Sequence, residues 1–107
     1  MNLKELSSTQ RTALKACAAG KPFLGVSLDM GEQQGRSTTL KSLESRGLIA
    51  RPWREGRVTA RGDAVLTLMA LGCRQRRVKG VVSWWFLDVD LGSDEIPAAA
   101  KLRELRG

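Results

Sequence analysis

Between Leu43 and Gly62 the chain reads LESRGLIARPWREGRVTARG, and that order leaves few folds open. A helix over Arg36–Arg46 carries Leu40, Leu43 and, just past its end, Leu48 at near-helical spacing, so one side faces a core. Gly47 is the helix stop. The next residues predict a strand, a two-residue turn at Glu55-Gly56 and a returning strand. Thr59 then has the right chemistry to cap a further helix, with Asp63 near the positive end of its dipole. Ala64, Val65, Leu68, Met69 and Leu71 give that helix a long apolar face, and Gly72 ends it. Away from the core, the Arg36–Arg46 helix offers Arg36, Ser37, Thr38, Lys41, Ser42 and Ser45, while Arg51, Arg54 and Arg57 surround the tip of the hairpin. Hydroxyls and cations of this kind reach phosphates and base edges.

Upstream, Ser7 and Gln10 fit a capping box, with Leu6 ahead of them as a staple residue. The helix they open runs to about Ala19 with Ala13, Leu14, Cys17 and Ala18 as its stripe, and Gly20 and Pro22 close it. Arg11 and Lys15 lie on its exposed side. Residues 21–35 contain three glycines and a proline. They predict at most a short helix, Val26–Gly31 or Met30–Gln34.

The whole order is similar to the winged helix-turn-helix regulators of the MarR and PadR type, over roughly residues 7–71. Leu43-Glu44-Ser45-Arg46-Gly47-Leu48-Ile49 resembles the "leucine, acidic, x, basic, Gly-Leu-Ile" ending of their recognition helix. Val58-Thr59-Ala60-Arg61-Gly62 resembles the Leu-Thr-x-x-Gly phrase that joins the second wing strand to the next helix. The resemblance implies an α+β fold: a winged helix-turn-helix of three helices and a β-hairpin wing, here followed by a carboxy-terminal strand and short helix. Residues 1–72 would form the winged domain and 73–107 an extension of it. The resemblance also implies double-stranded DNA as partner. The Arg36–Arg46 helix, about 16 Å long, would cross a major groove about 12 Å wide. The wing over 48–59 would meet the minor groove or the backbone, and Arg11, Lys15 and Arg61 would hold phosphates.

Charge agrees with a polyanion partner. The 107 residues carry a net charge of +7 and a pI near 10.3. Residues 36–80 hold eleven Lys/Arg against three acids, for +8, whereas residues 81–107 hold three against five, for −2. The basic surface therefore belongs to the middle of the chain. Its last part, Cys73–Lys79, reads as a backbone contact, a site for an acidic partner or a charge-protected hairpin edge. Val81–Leu91 favours a strand by its β-branched and aromatic content, although Val82, Trp85, Phe86 and Val89 also fit a helical stripe. Ser93–Arg106 predicts a short helix capped by Ser93 or Asp94, with Ala98, Leu102 and Leu105 as its stripe. A short DNA site usually needs two copies of a small reader. Trp84, Trp85, Phe86, Leu87, Val89, Leu102 and Leu105 are accordingly expected at a homodimer interface, unless they complete the chain's own core.

Other classes of function find little support. There is no histidine, hence no imidazole base and no ordinary zinc site. Cys17 and Cys73 have no paired spacing and read as reduced core thiols. Asp88, Asp90, Asp94 and Glu95 form the one carboxylate cluster. Asp88 and Asp90 would point together on a strand toward Mg²⁺, but no lysine follows at the spacing of a common nuclease pattern. The sequence thus predicts no enzyme, no metal and no cofactor. Without a signal-like or membrane-length apolar run, it predicts a cytoplasmic protein with no membrane partner. The expected function is sequence-specific duplex binding as a small transcriptional regulator, acting by repression. The alternative is a winged protein-interaction module of the kind that small phage- and plasmid-encoded proteins use.

Overall fold

The computed structural model describes residues 5–22, 38–51 and 57–106. Among these residues the fold is α+β: helices α1 (Ser8–Ala19), α2 (Thr38–Ser45), α3 (Ala60–Ala70) and α4 (Glu95–Arg106), with strands β1 (Arg74–Val78), β2 (Val81–Phe86) and β3 (Val89–Gly92). The chain divides into two compact units, Ser7–Asp63 and Met1–Leu6 with Ala64–Gly107, and the division falls within α3. The expected helix within 26–34, the Glu55-Gly56 turn, Arg36, Ser37 and Arg54 lie outside the described residues.

In the Ser7–Asp63 unit, α1 starts as its sequence predicts. Ser7 takes an extended conformation and its hydroxyl accepts from the Gln10 N–H at 3.1 Å, while the Gln10 side-chain oxygen accepts from the Ser7 N–H at 2.9 Å. The helix buries Ala13, Leu14 and Cys17, and α2 buries Leu40 and Leu43. At its end Gly47 has φ 77°, a left-handed conformation open to glycine at little cost. The Gly47 N–H then donates to the Glu44 carbonyl at 2.9 Å and the Leu48 N–H to the Leu43 carbonyl at 3.0 Å. This is the two-bond stop in which the residue after the glycine packs back on the last turn, and Leu48 and Leu43 are both buried.

The two arms of the expected wing do pair. Ile49 and Val58 form an antiparallel bridge, the Ala50 N–H donates to the Arg57 carbonyl at 2.9 Å, and the Thr59 N–H donates to the Leu48 carbonyl at 3.0 Å. Thr59 caps α3 as expected: its hydroxyl accepts from the Gly62 N–H at 3.1 Å and donates to the Gly47 carbonyl at 2.6 Å. Gly62 is required for a different reason from Gly47. A Cβ there would overlap the Leu48 carbonyl oxygen and lie 2.6 Å from a Val58 methyl. The helix backbone rests directly on the Leu48 backbone.

In the other unit Ala64, Val65 and Leu68 of α3 are buried and the basic run after Gly72 forms β1. The sheet is an antiparallel meander in the order β1-β2-β3. The β1–β2 turn is Lys79-Gly80, with φ 52° and 79° at its two central residues, the mirror-image turn that suits a twisted hairpin. Val81–Leu91 is neither one strand nor a helix. It folds back at Leu87-Asp88, so that Phe86 pairs with Val89 and Trp85 with Asp90, and a bulge beside Trp84/Trp85 precedes the pairing of Trp84 with Gly92. Neither turn residue is Gly or Asn, which is why the reversal carries no signal in the sequence.

Of the two candidate caps for α4, Asp94 is used: its carboxylate accepts from the Ile96 N–H at 3.4 Å and its carbonyl from the Ala98 N–H at 3.0 Å. The helix packs on β3 and β2 and buries Ala98, Ala99 and Leu102, whereas Leu105 is 53% exposed. Leu6 is also buried, and its N–H donates to the Gln75 side-chain oxygen at 2.8 Å. Trp84 and Leu102, expected at an interface between copies, are enclosed within the chain's own core. They complete this unit because α4 covers the sheet.

Cys17 and Cys73 are free and buried. Burial pushes both thiols above their ordinary range, and at Cys73 the Arg106 guanidinium opposes this in part. A thiol with a raised folded pKa stays protonated where the unfolded chain has already lost its proton. Stability should therefore be level below roughly pH 8.5 and fall above it, as pH rises from the ordinary thiol range toward the folded values. Urea unfolding from neutral to alkaline pH measures this, and it should also show Gly62→Ala destabilised by about 1–3 kcal/mol through overpacking against backbone.

Candidate nucleic-acid interface

Helix α2 sorts its side chains by face. Leu40 and Leu43 are buried, and Thr38, Lys41 and Ser45 are exposed. Positions three and four apart lie on one side of a helix, so these three make a single polar stripe. Ser42 is not part of it. It is half-buried, and its hydroxyl accepts from the Gln10 side-chain amide of α1 at 2.7 Å. Gln10 thus serves two elements at once, closing the cap of α1 with its oxygen and holding α2 with its nitrogen. The sequence flags Gln10 only as a capping residue, because nothing local shows which helix its amide will meet.

The arms paired at Ile49 and Val58 contribute cations that are partly engaged. Arg51 Nε lies 2.9 Å from the Glu44 carboxylate, and these side chains are 49% and 32% exposed. Arg57 is exposed, and its guanidinium donates to the Arg51 carbonyl at 2.6 Å. Glu44, Arg51 and Arg57 therefore form a chain that joins α2 to both arms of the Ile49–Val58 bridge. An ion pair this exposed is worth little in stability, but it fixes where the guanidinium sits. Arg11 and Lys15 are exposed on α1, one turn apart, and Arg61 is exposed in the first turn of α3. Against these cations the described residues of the Ser7–Asp63 unit set Glu44 and Asp63 alone. Among the described residues the charge of this unit is therefore mostly positive, with short hydroxyls exposed on α2.

The carboxylates of the other unit are separated. Asp88 lies in the β2–β3 turn and Asp90 in β3, so they do not share a strand face. Asp90 accepts from the Gly92 N–H at 2.8 Å and Asp94 caps α4. Among the described residues no three His, Cys, Asp or Glu gather as metal donors, and no helix is long and apolar enough to cross a membrane.

No protein family, characterised protein or solved structure matches this chain. The first check is the α1–α2 link: Ser42→Ala should cost about 0.5–1.5 kcal/mol. Gln10→Ala should cost more, about 1–2 kcal/mol, since it removes a cap bond as well. Thermal unfolding of the two variants and of the double variant tests both. A double variant no worse than Gln10→Ala alone would show that the two residues act through one bond.

Proposed function

We propose that the Ser7–Asp63 unit is a winged helix-turn-helix that binds duplex DNA, and that the protein is a small transcriptional regulator. The observation that carries this reading is the exposed Thr38–Lys41–Ser45 stripe on α2, followed at once by paired arms that bear Arg51 and Arg57. In it α2, with Arg36 and Ser37 ahead of it, enters the major groove. The wing, including Arg54, follows the adjacent minor groove or backbone. Arg11, Lys15 and Arg61 hold phosphates. Binding of this kind represses by occluding a promoter.

Two copies acting on a palindrome suit so small a reader. Val89, Ile96 and Leu105 are exposed apolar residues outside the proposed reading unit, and they support a homodimer through that part of the chain. The same exposed residues also favour a second reading, in which the chain is an interaction module that docks on another protein without reading DNA.

Selection of bound duplexes from a random pool, at two salt concentrations, tests the first reading. A symmetric motif is the expected result, while retention with no motif and a steep salt slope would leave a backbone binder. Lys41→Glu should abolish recovery of the motif. Arg57→Ala should weaken all duplexes alike and lower the salt slope by about one. Unchanged duplex affinity in Lys41→Glu would favour the interaction module, and sedimentation as a monomer at high concentration would remove the dimer.

A further inference from the structure

The outer face of the β1–β2 hairpin takes no part in the reading above and lies in the other unit. The register sets Arg74 opposite Trp85, Arg76 opposite Ser83 and Val78 opposite Val81, so these six residues share one side of the sheet. The Arg76 guanidinium lies over the Trp85 ring, 4.6 Å from its centroid. Beside them, Gly72, Arg74, Arg76, Trp85 and Leu87 line an open cleft of about 390 Å³. Arg74 and Arg76 are exposed and Trp85 is half-buried. Asp90 stands opposite Trp85 on its other side, but its carboxylate already accepts the Gly92 N–H at 2.8 Å.

Leu87 gives an independent sign. It holds φ 54° and is 79% exposed at the rim of this cleft. A bulky residue in the left-handed region costs about 1–3 kcal/mol, and a strained, water-facing leucine contributes no core packing to offset that cost. Such outliers cluster where a ligand is clamped.

A flat indole, an exposed leucine and two guanidinium groups suit a ligand that joins a planar ring to a phosphate. Nucleic acid offers both, and only a single strand offers them together, because in a duplex the base faces are already stacked. Sheets that carry aromatic and cationic side chains bind single strands by stacking bases on the former and tracking the backbone with the latter. We propose that this face binds single-stranded nucleic acid, with a base held between Trp85 and Leu87 and the neighbouring phosphates on Arg74 and Arg76.

The test uses the full chain and labelled oligonucleotides followed by fluorescence anisotropy. Oligothymidylate, oligouridylate, a duplex of equal length and inorganic polyphosphate are compared. The double variant Arg74→Ala, Arg76→Ala should weaken single-strand binding by about tenfold. Leu87→Gly relieves the backbone strain, so it should melt no lower than wild type, yet bind the single strand about fivefold more weakly through the lost apolar contact. Polyphosphate binding should be unchanged by Leu87→Gly. Lys41→Glu should leave single-strand binding intact whatever it does to the duplex, which separates this site from the α2 surface. Binding of either sugar type supports the proposal, and the tighter one names the natural strand. Single-strand affinity that both variants leave unchanged overturns it. So does an affinity that follows polyphosphate in every variant, since that is attraction by charge alone.

Discussion

The Ser7–Asp63 unit depends on the place where the chain returns to Leu48. The Leu48 carbonyl accepts the Thr59 N–H, and the α3 backbone at Gly62 lies so close to it that no side chain fits between. Thr59 ties the same point from the other side, with its hydroxyl between the Gly47 carbonyl and the Gly62 N–H. Two of the backbone groups left by a helix stop, a strand start and a helix start pair directly, and two more are satisfied by the Thr59 hydroxyl. Buried polar groups need such partners, since each one left unpaired costs about 1–3 kcal/mol. The junction therefore fixes where α2 ends, where the extended arm after Gly47 leaves and where α3 begins.

From that junction follows the division of labour on α2. With Leu40 and Leu43 held in the core, Ser42 meets Gln10 and Glu44 meets Arg51, and the remaining stripe of Thr38, Lys41 and Ser45 faces water. A helix of eight residues has few positions to distribute, and each that secures the helix is withdrawn from a ligand. The surface left for a ligand is narrower than the residue types alone imply. The Glu44 carboxylate holds the Arg51 guanidinium in place within this basic surface.

Much of the fold was legible because its punctuation is local. Ser7 with Gln10, Gly20, Gly47, Thr59 and Gly72 each specify an end through a hydrogen bond or a dihedral that neighbours in sequence decide. The return at Leu87-Asp88 was not legible. It uses a leucine at positive φ, and the alternation of Val81–Leu91 reads equally well as one strand. The site was legible by type and less so by position. Lys41 and Arg57 are exposed as expected, but the demands on Ser42 and Arg51 come from Gln10, a full helix away, and from Glu44 across the helix stop.

The sequence alone determined an α+β chain with helices at its capping residues, two paired extended arms after Gly47 and a basic middle, since caps, turns and charge act over a few residues. Tertiary structure decided which hydroxyls and cations remain available, that the Trp84 and Leu102 side chains belong to the chain's own core, and that the apolar tail closes as a meander under α4. Those outcomes depend on partners distant in sequence, and no local pattern encodes which partner a side chain will meet.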